Sequence, residues 1–294
     1  MASTPPRHAR YCTEITEQTR MFRETLAGAD LSARVPSCPD WTLRELALHL
    51  GRAHRWVHET VRTRARDMVP EDTVPGSAGP AGAGTDTGGA ADAGGGAYAE
   101  ALDRWLAEGA ELLVAALRDA GPDTDVWTWA DDRSTGFWAR RMTHETVVHR
   151  TDACLATGRP YEVAPDVAAD CVDEWLDIVA SPQAQEYDEG LRQLRERAGE
   201  SLHLHATDQP GGTASGGDLD TGLDTGPAEW LIELGADGPR WRRTHARATT
   251  ALRGPLTDVL LVFYRRLPLE DSRVELSGDR GLWEFWSART SFGG

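Results

Sequence analysis

The feature that most constrains the fold is a helical repeat of apolar residues in the first two-thirds of the chain. The stretch PDWTLRELALHLGRAHRWVHETV has Asp40 as its predicted N-cap, and Leu43, Leu46, Leu50 and Val57 follow at helical spacing. This pattern predicts a long helix with one buried face.

Other segments of the first two-thirds predict further helices. One covers about residues 10–28, another covers about 98–119, and a third ends at Gly158. One or two more helices follow within 166–197. The sequence therefore predicts that this part of the chain is all-α.

The pattern changes near residue 198. SLHLHATD alternates, so Leu202 and Leu204 face one side of a predicted strand and His203 and His205 face the other. EWLIELG, RWRRTHARATTALRG and SRVELSGD predict further strands, and PLTDVLLVFYRRL predicts a helix between them. This part of the sequence is typical of a small mixed α/β domain.

The two patterns predict an α+β protein with one domain over 1–198 and a second over 199–294. Within the first domain, residues 70–97 consist largely of Gly, Ala, Asp, Thr and Pro. Such a composition buries too little apolar surface to offset the entropy of ordering. We therefore predict a flexible loop there.

The charged residues exclude several classes of function. A net charge of −16 argues against nucleic acids and anionic membranes as partners. All 31 basic residues are arginine, which excludes Schiff-base chemistry, pyridoxal-phosphate anchoring and the phosphate-binding loop that needs a lysine. A small molecule remains the expected partner.

The cysteines and apolar runs predict the compartment. The four cysteines form no C-x-x-C motif, and reduced thiols are expected in a chain of this size. The N-terminus lacks the apolar core of a signal peptide, and the run VLLVFY is too short to span a bilayer. We expect a cytoplasmic monomer or dimer.

The stretch RMTHETVVHR contains a candidate metal site. Glu145 and His149 are four residues apart, so on a helix they project about 40° from each other, whereas His144 and His149 differ by about 140°. Glu145 lies in the middle of a face with Trp138 and Met142, where a buried carboxylate needs a partner. That partner is a metal ion or, alternatively, an arginine.

A metal needs a third protein ligand, and HLGRAHRWVHE offers three histidines. His49 and His54 lie on opposite flanks of the apolar stripe, and helical spacing does not choose between them. His58 lies further round the helix, off the stripe. The spacing therefore leaves the third ligand open.

CPDWTLRELALHLGRAHRW and RMTHETVVHRTDA together resemble the actinobacterial mycothiol-dependent maleylpyruvate isomerase family. The resemblance implies a DinB-like four-helix bundle followed by a small C-terminal α/β domain that is sterol-carrier-protein-like. It also implies a divalent metal, usually zinc (Zn2+), held by His49, Glu145 and His149. His54 then becomes a hydrogen-bond donor to one of the ligands or a polar residue beside the apolar stripe.

The activity implied by the resemblance is a metal-dependent reaction that uses mycothiol. A thiol near the cation loses its proton, and the thiolate attacks an electrophilic small molecule. Release of the thiol gives cis–trans isomerisation, as by an isomerase, and its retention gives S-transfer, as by a transferase. The motif does not separate the two reactions.

Two other functions stay open, together with several supporting residues. The alternatives are a DinB-like metal hydrolase that uses zinc-bound water and a non-catalytic binding module. Arg265 and Arg266 are candidate binders of a carboxylate on the substrate or thiol, and Asp152 is a candidate to orient His149. Trp129 and Trp138 are candidates for a pocket wall, although tryptophan is as common in a core.

Overall fold

The computed structural model describes residues 6–80, 94–208 and 227–290 and divides into two compact units, between Tyr161 and Glu162. The first unit is helical and the second combines a mixed sheet with helices, which confirms the predicted α+β class. Within the described ranges, no helix has both the length and the hydropathy that a bilayer crossing requires.

Four long helices build the first unit. They are α1 (Pro6–Leu26), α2 (Leu43–Arg62), α3 (Gly94–Ala120) and α4 (Thr135–Thr157). Helices α1 and α2 each pack against both α3 and α4, which is the arrangement of a four-helix bundle. As predicted, α4 ends at Gly158, whose φ of 65° is the left-handed conformation that glycine adopts without steric cost.

A short hairpin that the sequence did not predict leads into α2. Strands β1 (Arg34–Val35) and β2 (Cys38–Thr42) pair antiparallel. The predicted N-cap, Asp40, is wrong because β2 continues to Thr42 before the helix begins. The Thr42 side chain accepts from the backbone N–H of Glu45, and the Glu45 carboxylate accepts from the backbone N–H of Thr42, which completes a capping box.

The predicted flexible loop, 70–97, is packed on the bundle in its first part. Val74 is buried, and the indole N–H of Trp105 donates to the carbonyl of Gly76 at 2.8 Å. Its last four residues belong to α3, and 81–93 lie outside the described residues. Composition alone missed the packed part, because the hydrogen bond that holds it comes from a side chain of α3.

The second unit contains a five-stranded sheet and five helices among the described residues. The helices are α5 (Pro165–Ala180), α6 (Pro182–Tyr187), α7 (Glu189–Gln193), α8 (Leu256–Phe263) and α9 (Arg280–Arg289). The strands are β3 (Ser201–Ala206), β4 (Glu229–Gly235), β5 (Gly238–Arg243), β6 (Thr250–Gly254) and β7 (Glu275–Gly278). The strand order is β5-β4-β3-β6-β7, and only β3 and β6 run parallel.

Two predictions for this unit need correction. RWRRTHARATTALRG forms two strands rather than one, because the chain leaves β5 on one side of β3 and returns as β6 on the other. Arg265 and Arg266 follow α8 instead of ending it, since the helix ends at Phe263 and Arg265 has a φ of 60°. Arg265 is exposed, and Arg266 donates to the carbonyl of Tyr264 at 3.0 Å.

The two units divide earlier than residue 198, where the sequence pattern changes. Helix α5 belongs to the second unit because it packs on β5 and α8. Asp173 of α5 accepts from the indole N–H of Trp230 at 2.7 Å and forms an ion pair with Arg243 at 2.6 Å. A helix that covers a sheet has the same apolar period as a bundle helix, so the pattern could not assign it.

Gly51 of α2 leaves room for the ring of Trp105 on α3. A Cβ at this position would lie 2.0 Å from Cζ3 of Trp105, whose ring is buried and held by its own hydrogen bond. We expect Gly51→Ala to destabilise the protein by about 1–3 kcal/mol, because overpacking exceeds the gain in helix propensity.

Gly96 of α3 is the matched control, because a Cβ there meets nothing within 4 Å. Gly96→Ala should leave the free energy of unfolding unchanged or raise it by up to about 1 kcal/mol. Urea denaturation of both variants measures the difference. Equal stabilities of the two variants would contradict the packing argument.

Candidate metal centre

Three side chains from two helices of the bundle meet at one point. Nε2 of His49 on α2 lies 2.9 Å from Oε1 of Glu145 on α4, and Nε2 of His149 lies 3.1 Å from the same oxygen. One ligand atom of each residue lies within 4.8 Å of those of the other two. The bundle therefore brings together the residues that spacing and resemblance selected.

The local sequence explains why they meet. Glu145 and His149 are one turn apart on α4 and so share a face. The capping box at Thr42 fixes the start of α2, and His49 follows two turns later. Because α2 packs alongside α4, the imidazole of His49 reaches the carboxylate from the neighbouring helix.

Glu145 also has an arginine partner. Oε2 of Glu145 accepts from Nη2 of Arg141 at 3.3 Å, and Arg141 is itself buried one turn earlier on α4. Burial alone would raise the pKa of the Glu145 carboxyl, but the two histidines and the arginine outweigh burial and hold that pKa well below its usual range. The arginine alternative to a metal is therefore present together with the candidate ligands.

His149 is oriented through its second nitrogen. Its Nδ1 donates to Oδ2 of Asp152 at 2.9 Å, and the hydroxyl of Ser37 donates to the other oxygen of Asp152. Burial alone would lower the pKa of His149, but the carboxylates of Glu145 and Asp152 raise it to about 9. With Nδ1 engaged, Nε2 faces Glu145, as in histidines that bind metals.

An aromatic ring that the sequence analysis did not select borders the centre. The ring centroid of Trp41 lies 4.8 Å from that of His49 and 6.2 Å from that of His149. Trp41 lies in β2, just before α2, so helical spacing could not place it. Trp41 and Ser37 come from the hairpin, and only the fact that CPDWT directly precedes the helix with His49 could have indicated them.

The remaining histidines of the two motifs lie elsewhere. His144 is fully buried and makes an edge contact with Tyr11 of α1. Nε2 of His54 donates to the hydroxyl of Thr146 at 2.9 Å, and burial lowers the pKa of His54 to about 4, so its imidazole is neutral. His58 lies half-buried one turn further along α2.

Two tryptophans proposed for a pocket wall pack within the bundle. The indole N–H of Trp138 donates to the carbonyl of Trp127 at 2.7 Å, and its ring lies 5.1 Å from that of Phe137. The ring of Trp129 makes an edge contact with Phe137, with the ring centroids 5.0 Å apart. The ring that contacts the candidate ligands is Trp41 instead.

The donor set fits a divalent metal ion. Two imidazole nitrogens and one carboxylate oxygen are a set that zinc favours, and three protein ligands leave an open coordination position. The three ligand atoms lie within 4.8 Å of one another, so small side-chain movements bring them to the separation of roughly 3.4 Å that bonds of about 2.1 Å give in a tetrahedral site. Asp152 supplies the outer partner for His149.

Comparison with known families assigns the chain. Residues 12–154 match the family model described as mycothiol maleylpyruvate isomerase N-terminal domain, and residues 166–285 match that described as MDMPI C-terminal domain. The chain belongs to the mycothiol maleylpyruvate isomerase family. Searches of curated proteins and of solved structures find no match.

The family assignment covers every candidate residue. His49, Glu145 and His149 lie within the part that matches the mycothiol maleylpyruvate isomerase N-terminal domain. Arg265 and Arg266 lie within the part that matches the family's C-terminal domain. The action of Arg265 and Arg266 on the thiol or substrate stays a prediction.

Asp152 offers a test of the centre that leaves the three candidate ligands intact. Asp152→Asn preserves the size of the side chain but removes the negative charge that faces His149. We expect the affinity for Zn2+ to fall by about 10–100-fold, as for other outer partners of metal-binding histidines. Competition with a chromophoric chelator measures it, with circular dichroism as a check of folding.

Asp103→Asn provides the control for the loss of a carboxylate. Asp103 forms an ion pair with Arg23 at 2.6 Å, on the α1–α3 side of the same bundle. This variant should keep the zinc affinity of the parent protein. An equal loss of zinc affinity in both variants would mean that the net charge of the protein, rather than the contact between Asp152 and His149, controls binding.

Proposed function

We propose that the protein is a metal-dependent enzyme that uses mycothiol and activates this thiol for attack on an electrophilic small molecule. The observation that carries the proposal is the convergence of His49, Glu145 and His149 within 4.8 Å. Membership of the mycothiol maleylpyruvate isomerase family supports the choice of thiol. Zinc is the ion best suited to this donor set.

The chemistry of a bound divalent cation is that of a Lewis acid, which stabilises the thiolate over the thiol near neutral pH. The protein's own side chains hold the three ligands in the orientation that metal binding requires. Arg141 holds one oxygen of Glu145 and leaves the other directed at the two histidines. Asp152 holds Nδ1 of His149, so that its Nε2 stays available.

The surroundings of the centre leave one side accessible to reactants. The side chain of His49 is 39% exposed and that of Glu145 is 23% exposed, whereas Asp152 and Arg141 are buried. Trp41 borders this side and offers an apolar surface to a substrate. Small reactants can therefore approach the three ligands without displacing the groups that orient them.

The proposal includes two outcomes for the substrate. Addition of a thiol to an electron-poor double bond followed by release of the thiol gives isomerisation, and retention of the thiol gives S-transfer. Both outcomes need the same thiolate, and the three ligands serve both equally. Arg265 and Arg266 remain candidates for binding a carboxylate of the substrate or of mycothiol.

The zinc content of single variants tests the ligand set. We expect His49→Ala, Glu145→Ala and His149→Ala to lose bound zinc, because each removes one of three ligands. His144→Ala should retain it, since His144 packs toward α1. Elemental analysis of the purified proteins measures the occupancy.

His54 distinguishes the chosen histidine from its neighbour on α2. Full occupancy in His49→Ala together with loss in His54→Ala would show that His54 is the ligand. Full occupancy in both Glu145→Ala and His149→Ala would remove the metal centre from the proposal.

Thiol dependence tests the activity. A metabolite extract is incubated with mycothiol and the protein, and mass spectrometry follows isomerised products and thiol conjugates. We expect products only with both mycothiol and the parent protein, and a loss of at least about 100-fold in His149→Ala, because the ligand set is then incomplete. His58→Ala is the control histidine variant on α2 and should retain the activity.

The same experiment separates a hydrolase from a thiol-using enzyme. Hydrolysis products that form equally well without mycothiol would contradict the proposal and favour water activation at the same ligands. Absence of any product, with zinc bound, would favour a binding module.

A further inference from the structure

Three histidines surround one carboxylate in the second unit. Oε2 of Glu229 lies 2.6 Å from Nδ1 of His245 and 3.3 Å from Nε2 of His203, and Oε1 of Glu229 lies 3.6 Å from Nε2 of His205. The three imidazole rings contact each other edge-on, with centroids 5.5–5.9 Å apart. The ligand atoms of His203, Glu229 and His245 lie within 4.8 Å of one another, and His205 borders this group.

The sheet register builds this cluster. His203 and His205 are two residues apart on β3 and face the same side, while Leu202 and Leu204 are buried on the other. Glu229, the first residue of β4, lies directly opposite His205 in the antiparallel pair.

The fourth group comes from the chain beyond β5. The backbone N–H of Thr244 donates to the carbonyl of Glu229 at 3.1 Å, which holds the chain beside the start of β4. His245 is the next residue, and its imidazole reaches the same carboxylate. The arrangement therefore connects three separate segments of the chain.

One atom of the cluster has no hydrogen-bond partner. His203 is only 4% exposed, and its Nε2 is buried without a hydrogen bond among the residues that the structure describes. The same imidazole hydrogen-bonds the backbone carbonyl of Thr244, so its Nδ1 is the donor. In the neutral imidazole, a lone pair on Nε2 then faces the carboxylate of Glu229, an arrangement that a cation between them would stabilise.

The distances suit zinc. Ligand atoms of a tetrahedral zinc site lie roughly 3.4 Å apart, which follows from bonds of about 2.1 Å. The separation of 3.3 Å between Oε2 of Glu229 and Nε2 of His203 is close to this value. His245 is 76% exposed, so an ion can enter from that side and replace its hydrogen bond to Glu229.

We propose that His203, Glu229 and His245 bind a second divalent metal ion. Zinc is the expected ion, because two imidazoles and a carboxylate suit it. The ion fastens β3, β4 and the segment after β5 to one another.

Zinc titration of the full-length, metal-stripped protein tests this site. The first candidate centre is removed by the double substitution His49→Ala and His149→Ala, and the remaining zinc equivalents are measured by competition with a chromophoric chelator. We expect one equivalent to remain. Adding Glu229→Gln or His245→Asn should lower the affinity for it at least tenfold and abolish the zinc-induced rise in Tm.

Glu233→Gln is the matched control. Glu233 lies on the same strand and face as Glu229 and forms an ion pair with Arg242. Its substitution by Gln therefore removes a carboxylate from the same face but leaves the histidine cluster intact. The Glu233→Gln variant should keep the remaining zinc equivalent and the zinc-induced rise in Tm. His245 is a surface residue, so His245→Asn tests the site even if Glu229→Gln fails to fold.

The outcomes separate this site from the proposed catalytic centre. An equivalent that survives the His49/His149 double substitution and is lost in His245→Asn supports the second site, whatever happens at the first. A single equivalent that the double substitution removes would overturn the second site and leave the first intact. Unchanged zinc affinity in both Glu229→Gln and His245→Asn would also overturn it.

Discussion

The carboxylate of Glu145 is the group on which the interior of the bundle depends. An unpaired carboxylate at such a place costs several kcal/mol, so neighbouring elements must supply positive charge or hydrogen-bond donors. Arg141 supplies them from the same helix, and His49 supplies them from α2. The position of α2 against α4 is therefore tied to the same group that defines the candidate metal centre.

The helices were predictable because their apolar residues recur at a period that few other structures produce. Spacing could not choose between His49 and His54, because both flank the apolar stripe of α2 and both reach α4, and only the family resemblance selected His49. His49 meets Glu145, whereas His54 meets Thr146, which is the next residue. The two partners differ by one residue on α4, and this difference decides which histidine is a candidate ligand. The periodicity of α2 alone does not show which residue of α4 each histidine faces.

The contacts between different helices and strands could not be predicted from the sequence. Trp41 reaches the centre from β2, a short strand whose pairing with β1 has no strong sequence signal. Alternation in SLHLHA did place His203 and His205 on one face, but Glu229 joins them only through the register of β3 and β4. Spacing within an element is visible in a sequence, whereas register and helix packing arise from the fold.

The two ligand clusters differ in the elements that supply their ligands, and this difference indicates different roles. The helical cluster has three protein ligands, an accessible side at His49 and buried partners that orient its ligands, so it can admit a reactant without losing its geometry. The sheet cluster joins ligands from three separate segments of the chain, so an ion bound there would hold β3, β4 and the segment after β5 together. An ion there would stabilise the sheet, while the reaction would belong to the bundle.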